Sequence, residues 1–212
     1  SKSFTAGFVW SPIDNLDLSM DYYRIRAPNQ VQTQSREQLR IDEANCRLGV
    51  TDTGQAVDIT SPTCVDALAR VIRDGMRGIA SVHFGPINIA NEETAGIDVA
   101  ASYRLQTANA GNYRFSANYN WTDSHTSQQY PGDPEEDMLS VGYSSTTLPR
   151  AKGNLGVAWD RGVWGASLFS NYLGRVANYD NDAWTPATWR FNASLRYDIG
   201  SHQRIALSVA NL

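Results

Sequence analysis

The chain has 212 residues, 42% of them hydrophobic and 19% charged, with six Trp, ten Tyr and six Phe. That is too apolar and aromatic for a disordered chain, and its negative mean hydropathy is too polar for a bundle of membrane helices. The 18 basic and 22 acidic side chains, net −4, are scattered rather than gathered into the basic stripe of a nucleic-acid binder, so no nucleic-acid partner is expected. No stretch approaches the ~18–20 apolar residues of a spanning helix. The opening Ser1-Lys2-Ser3-Phe4 lacks the charged and apolar regions of a signal peptide. Either the protein is cytoplasmic or its true N-terminus is missing, and the rest of the sequence argues for the second.

The dominant signal along the chain has period two. Phe4, Ala6, Phe8 and Trp10 alternate with Ser3, Thr5 and Gly7. After the turn Pro12-Ile13-Asp14-Asn15, Leu16, Leu18, Met20 and Tyr22 alternate with Asp17, Ser19, Asp21 and Tyr23. A long link then runs from about Ala27 to Ile79. Inside it, Ser35 with Gln38 forms a capping-box pattern for a helix through about Leu48. Ser61-Pro62 opens a second helix ending at Gly75, with Val65, Leu68, Ala69 and Ile72 at helical spacing. The two cysteines, Cys46 and Cys64, fall on or near these helices with 17 residues between them. They are either two free thiols or a disulfide. A disulfide suits an exported protein and would contribute on the order of 3 kcal/mol. With no His cluster nearby, zinc is not expected.

Strand patterns resume with Ile97, Val99, Ala101, Tyr103 and Leu105, then Tyr113, Phe115, Ala117, Tyr119 and Trp121. They continue with Leu155, Val157 and Trp159, then Trp164, Ala166, Leu168 and Tyr172. The last two are Trp189 to Ile199 and Ile205 to Val209. The set amounts to about eight amphipathic strands. A soluble sandwich shows the same alternation, so the connections decide. Pro12 to Asn15, Asn109-Ala110-Gly111, Asp160-Arg161-Gly162 and Gly200-Ser201-His202 are tight turns. They alternate without exception with long links, roughly Ala27 to Ile79, Ser124 to Thr147 and Gly174 to Thr185. Long loops all at one end are the signature of an outer-membrane barrel. Trp10, Trp121, Trp159, Trp164 and Trp189 fall near strand ends, where an aromatic girdle sits.

Enzyme chemistry finds little support. His83, His125 and His202 lie on separate segments, and no nucleophile elbow, phosphate loop or dinucleotide glycine pattern occurs. The runs Asp133-Pro134-Glu135-Glu136-Asp137 and Asp180-Asn181-Asp182 carry the hard oxygens that calcium takes, but lack EF-hand spacing and read as solvated loops. Asp17, Asp21 and Asp98 would share a barrel interior, yet nothing selects a catalytic pair among them. No enzyme, metal or cofactor is expected.

Several stretches resemble the C-terminal part of TonB-dependent outer-membrane receptors. The segment from Ser3 to Trp10, its turn, and Leu16 to Ile25 resembles a hairpin of their barrel. Asn88 to Asp98, reading Asn-Ile-Ala-Asn-Glu-Glu-Thr-Ala-Gly-Ile-Asp, is similar to the family's "N…A…GhE" strand, with Asp98 where Glu is usual. Leu148-Pro149-Arg150-Ala151-Lys152 resembles its "P…H/K" strand start, and Ala210-Asn211-Leu212 the beginning of its "NLF" turn. The resemblance implies a 22-stranded barrel closed by an N-terminal plug, of which this chain carries about eight strands, without plug, TonB box or last strand. It implies a Gram-negative outer-membrane receptor that contacts lipid and binds a small-molecule or oligosaccharide ligand. Siderophores and vitamins belong to the same range of ligands. Import would draw on the TonB complex through the plug.

With the Pro12–Asn15 turn on the short-turn side, Asn118, Asn120 and Asp123 lie toward the outer mouth, as do Arg190 and Asn192. These five and the loop aromatics Tyr130, Tyr179 and Trp184 are the candidate ligand contacts. The competing reading is a soluble, secreted β-sandwich or adhesin module that binds glycans. It requires the apolar faces to pack on each other.

Overall fold

The period-two segments form one antiparallel sheet, in a computed structural model that describes residues 1–33, 36–131, 135–141, 148–178, 182–200 and 202–212. In chain order the elements are β1 (Lys2–Ile13), β2 (Leu16–Thr33), α1 (Arg36–Leu48), α2 (Pro62–Arg70), β3 (Val71–Arg73) and β4 (Ile79–Val82). Then come β5 (Pro86–Thr107), β6 (Gly111–Gln128), β7 (Glu136–Asp137), β8 (Ala151–Arg161) and β9 (Trp164–Leu173). The last are β10 (Val176–Ala177), β11 (Trp184–Thr185), β12 (Thr188–Ile199) and β13 (Gln203–Ala210). The sheet runs β1-β2-β5-β6-β8-β9-β12-β13, each long strand beside its successor, an up-and-down meander. β1 and β13 are its two edges, and the sheet does not close on itself. Its short turns place Asn15, Gly111, Gly162 and Gly200 at positive φ. At Gly111 a Cβ would also stand 2.5 Å from the Asp160 carbonyl oxygen, so the turn accepts no side chain there.

One face of the sheet is apolar and uncovered. Leu168 is 47% exposed and Leu207 66%, and Leu155, Leu195 and Val99 are exposed as well. In a sandwich these side chains would interdigitate with a second sheet. Among the described residues no such layer exists, and the buried apolar cluster is confined to Leu39, Ala67 and Val71, with Val82 against it. An apolar face this broad belongs in hydrocarbon rather than water. Aromatic rings border it. Near the short turns Trp164 packs on Tyr197 at 4.6 Å, and Trp159 donates its indole N–H to the Ala110 carbonyl at 2.7 Å. Toward the long loops Tyr172 packs on Trp189 at 4.9 Å, and Arg150 lies over Trp121 at 5.9 Å.

Trp121 corrects the expectation that each of these tryptophans ends a strand. β6 continues to Gln128, and β2 and β5 likewise outrun the shorter β8, β9 and β12. Beyond Tyr22, Ile97 and Trp121, which share one register row, the outer face turns polar. There Arg24 pairs with Glu93 at 2.6 Å and Arg26 donates to Asn91 at 2.9 Å. The apolar band thus stops while three strands go on. The first long link is accordingly shifted, running over residues 34–85 between β2 and β5 rather than from Ala27 to Ile79.

That link folds as a small module. Leu39, Glu43 and Cys46 form the buried stripe of α1. In α2 the Ser61 hydroxyl accepts from the Cys64 N–H at 3.3 Å and Pro62 occupies the first turn. Ser35 of the expected capping box lies outside the described residues. α2 ends at Arg70 rather than Gly75, because Val71-Ile72-Arg73 pairs with Ile79–Val82 instead. The β-branched Val71 and Ile72 favour that strand, and the Asp74 carboxylate closes its turn by accepting from the N–H groups of Met76 and Gly78. Cys46 and Cys64 form a disulfide, with Cα atoms 5.4 Å apart, that joins the two helices.

Glu43 is fully buried between Arg47 and Arg73, whose Nε donates to it at 2.7 Å. The Arg73 hydrogen bond, with help from Arg47, holds the Glu43 carboxyl below its usual range in spite of its burial. A depressed carboxylate contributes stability that is full above the unfolded pKa of about 4.3 and is lost as pH falls through the lower folded value. Hydrogen exchange of the α1 and α2 amides is therefore expected to accelerate below about pH 4.3. Glu43→Gln should remove that acid dependence and cost the module about 1–3 kcal/mol. An unchanged exchange profile in the variant would contradict this assignment.

Candidate ligand site on the inner face

The opposite face of the sheet is polar, and register rather than sequence distance brings its side chains together. Asn118, Asn154 and Asn171 are successive cross-strand partners on β6, β8 and β9, and Arg190 of β12 continues the row. Asn118 donates to the Asn154 side-chain oxygen at 3.0 Å. In the next row toward the long loops, Asp21 of β2 faces Asp98 of β5, followed by Asn120 and Lys152. Asn120 donates to Asp98 at 2.7 Å and to the Tyr23 hydroxyl at 3.3 Å. Gly7 makes room for the Asp21 carboxylate, which would meet a Cβ there at 1.9 Å. These two rows line a concavity of about 610 Å³.

Of the sequence-predicted contacts, Asn118, Asn120 and Arg190 meet in this concavity. Asn192 does not. It is set one inner-face row nearer the short turns, opposite Phe169, and accepts from the Asn211 N–H at 3.2 Å. Asp123 is the extra residue of a bulge between the Thr122 and Ser124 pairings, and its carbonyl receives Arg150. Tyr130 does not line the concavity; its field, behind the Asp66 hydrogen bond, raises the pKa of Arg70 in the loop module. Trp184 pairs with Ala177 in the β10–β11 ribbon and carries Arg175 over its ring at 4.4 Å, away from the concavity. Tyr179 lies outside the described residues.

Sequence reading did not select Asn154, Asn171 or Lys152 as contacts, nor Phe169, which points to the inner face beside Gly156. Phe169 and Ser170 invert the alternation of β9, and that inversion was the signal available. Of the three carboxylates considered, Asp21 and Asp98 come together while Asp17 accepts from Ser11 at 2.7 Å nearer the short turns. In the acidic loop, Asp137 caps its own turn by accepting from the Leu139 N–H at 2.9 Å. Asp182 is bound to Asn178 at 2.7 Å, whereas Asp133, Asp180 and Asn181 lie outside the described residues.

The family model described as "TonB dependent receptor-like, beta-barrel" matches residues 1–212. The chain belongs to the TonB-dependent receptor β-barrel family. No curated protein matches it in sequence. Among solved structures, a mutant ferric enterobactin receptor of Pseudomonas aeruginosa superposes with a TM-score of 0.57 at 13% identity, over 99% of this chain and 25% of that one. A second mutant of that receptor, in complex with enterobactin, gives 0.58 at 12% identity with the same coverage. The chain therefore spans a quarter of the length of these receptors, and at this identity the likeness is one of fold.

In a TonB-dependent receptor barrel the inner face is the lumen, and near the short turns this one carries an ionic ladder. Arg114 pairs with Asp160 at 3.0 Å, Asp160 with Arg196 at 2.8 Å, Arg196 with Asp198 at 3.4 Å, and Asp198 with Arg204 at 2.6 Å. Arg196 reaches from β12 across β9 to β8 because Gly165 lies beneath it. A Cβ at that position would stand 2.9 Å from the guanidinium carbon. The ladder cross-links four lumen strands with fixed charge, while the asparagine rows above it keep hydrogen-bonding capacity open.

Proposed function

We propose that this chain is part of the wall, about eight strands of 22, of a Gram-negative outer-membrane receptor that binds a nutrient at the cell surface and imports it with energy from the TonB complex. The observation that carries this reading is the two-sidedness of the sheet. Its exposed apolar face suits lipid, and its polar face gathers Asn118, Asn120 and Arg190 around one concavity. These three form part of the ligand path. Tyr130, Tyr179 and Trp184, on the long links, belong to its outer rim, and Asp123 and Asn192 are supporting positions. A plug outside this chain closes the barrel and couples to TonB.

The test uses the full-length parent. Extracted from outer membranes in detergent, it is expected to shift in apparent mass between unboiled and boiled samples, as a closed barrel does. Cells carrying it should accumulate ligand only when TonB is functional. A protein that stays soluble without detergent and shows no shift would overturn the reading.

A further inference from the structure

We infer that the inner face takes an uncharged, polyhydroxylated ligand, an oligosaccharide in chemical class, which lies along the ladder Asn118–Asn154–Asn171 in the lumen concavity and reaches Phe169 in the adjoining hollow as a stacking platform; this rests on the receptor reading above. Three adjacent strands present one asparagine each at the same register. Neighbouring strands are about 4.8 Å apart, close to the length of one hexose unit. Asn118 and Asn154 share a single hydrogen bond, which leaves the Asn118 oxygen and the Asn154 NH₂ available. Asn171 makes no side-chain hydrogen bond among the described residues. An amide offers donor and acceptor together, as does a sugar hydroxyl. Ammonium and guanidinium groups offer donors alone, the complement of an anion.

Phe169 supplies the second half of sugar recognition. It stands one inner-face row below Asn171 and is 39% exposed. Gly156 on the neighbouring strand places no side chain against it, and even an added Cβ would only touch the ring edge at 3.5 Å. A bare ring of this kind gains by covering itself with the C–H face of a pyranose, whose hydroxyls then reach the amides.

The charge pattern argues in the same direction. Asp21 and Asp98, directly opposite each other, border the asparagine row and balance Lys152 and Arg190, so the concavity holds no excess cation. A multiply anionic metal chelate would lie against two carboxylates. The cations that line the hollow around Phe169 are Arg104 and Arg114, and Arg114 is already held by Asp160. A ligand drawn by those two would be anionic, and its affinity would fall with added salt.

The experiment takes the full-length receptor in detergent, probed with an array of neutral oligosaccharides and with a ferric tricatecholate as the anionic comparison. Binding of at least one neutral oligosaccharide is expected, with an affinity insensitive to sodium chloride. Asn171→Ala and Phe169→Ala should each weaken it by about tenfold or more, with heat-dependent gel mobility retained as the check on folding. Three results overturn the inference. They are salt-sensitive binding of the ferric tricatecholate alone, oligosaccharide binding that neither variant weakens, and no binding of either class. If cells then accumulate the ferric chelate in a TonB-dependent way, the receptor reading stands and only the sugar assignment falls. If the protein neither shifts on the gel nor supports TonB-dependent uptake of any probe, both fall.

Discussion

Leu168→Arg is expected to destabilise the full-length barrel by about 2–4 kcal/mol in lipid, whereas Ser116→Arg should change stability by less than about 1 kcal/mol. The two positions lie in neighbouring register rows at similar depth, so the contrast isolates which face each side chain is on. Leu168 sits between Val157 and Ala193 on the apolar face and is 47% exposed. An arginine there carries its charge into hydrocarbon, with only snorkelling to relieve it. Ser116 faces the lumen between Ser102 and Gly156, where the guanidinium finds polar neighbours. Unfolding measured by the loss of heat-dependent gel mobility, in lipid vesicles against urea, separates the two variants. Equal destabilisation would mean that the apolar face packs on protein, and the barrel assignment would fail.

Removing the disulfide should release the loop module without disturbing the barrel. Cys46 and Cys64 tie α1 to α2 over a cluster of only Leu39, Ala67 and Val71, with Val82 against it. So small a core stabilises little by itself, and small units of this kind depend on cross-links. Closing a loop of this length contributes about 3 kcal/mol in the chain-entropy account. For the double variant Cys46→Ala, Cys64→Ala, limited proteolysis is expected to cut between β2 and β5 many times faster. The gel shift of the barrel should persist, since the eight long strands pair independently of the module. Protease resistance equal to the parent's would show that Glu43 and the apolar cluster hold the module unaided.

Much of the fold was legible because strand alternation is a local property. Phe4 to Trp10, Ile97 to Leu105 and Tyr113 to Trp121 each announce two faces without reference to any other segment. The short turns are equally local, and their alternation with long links points to a barrel without reference to strand pairing. Strand ends were less legible. Past Trp121 the outer face changes from apolar to polar while the ladder continues, so hydropathy marks the edge of the apolar band and not the end of β6. The end of α2 was misplaced for a related reason. Val71 and Ile72 fit a helical stripe, but pairing with β4 satisfies their backbone groups and suits their branched side chains better.

The ligand site divides in the same way. By itself the sequence determined that Asn118, Asn120 and Arg190 point to the polar face, and that the chain resembles a TonB-dependent receptor. Only the tertiary structure decided that Asn118, Asn154 and Asn171 stand in one row, that Asp21 confronts Asp98, and that Phe169 turns into the lumen. Which face a strand residue occupies follows from its own parity, a property of two or three neighbouring residues. Which residue it meets follows from the register of every strand between them, and register is set by turns, bulges and pairings that no single segment contains.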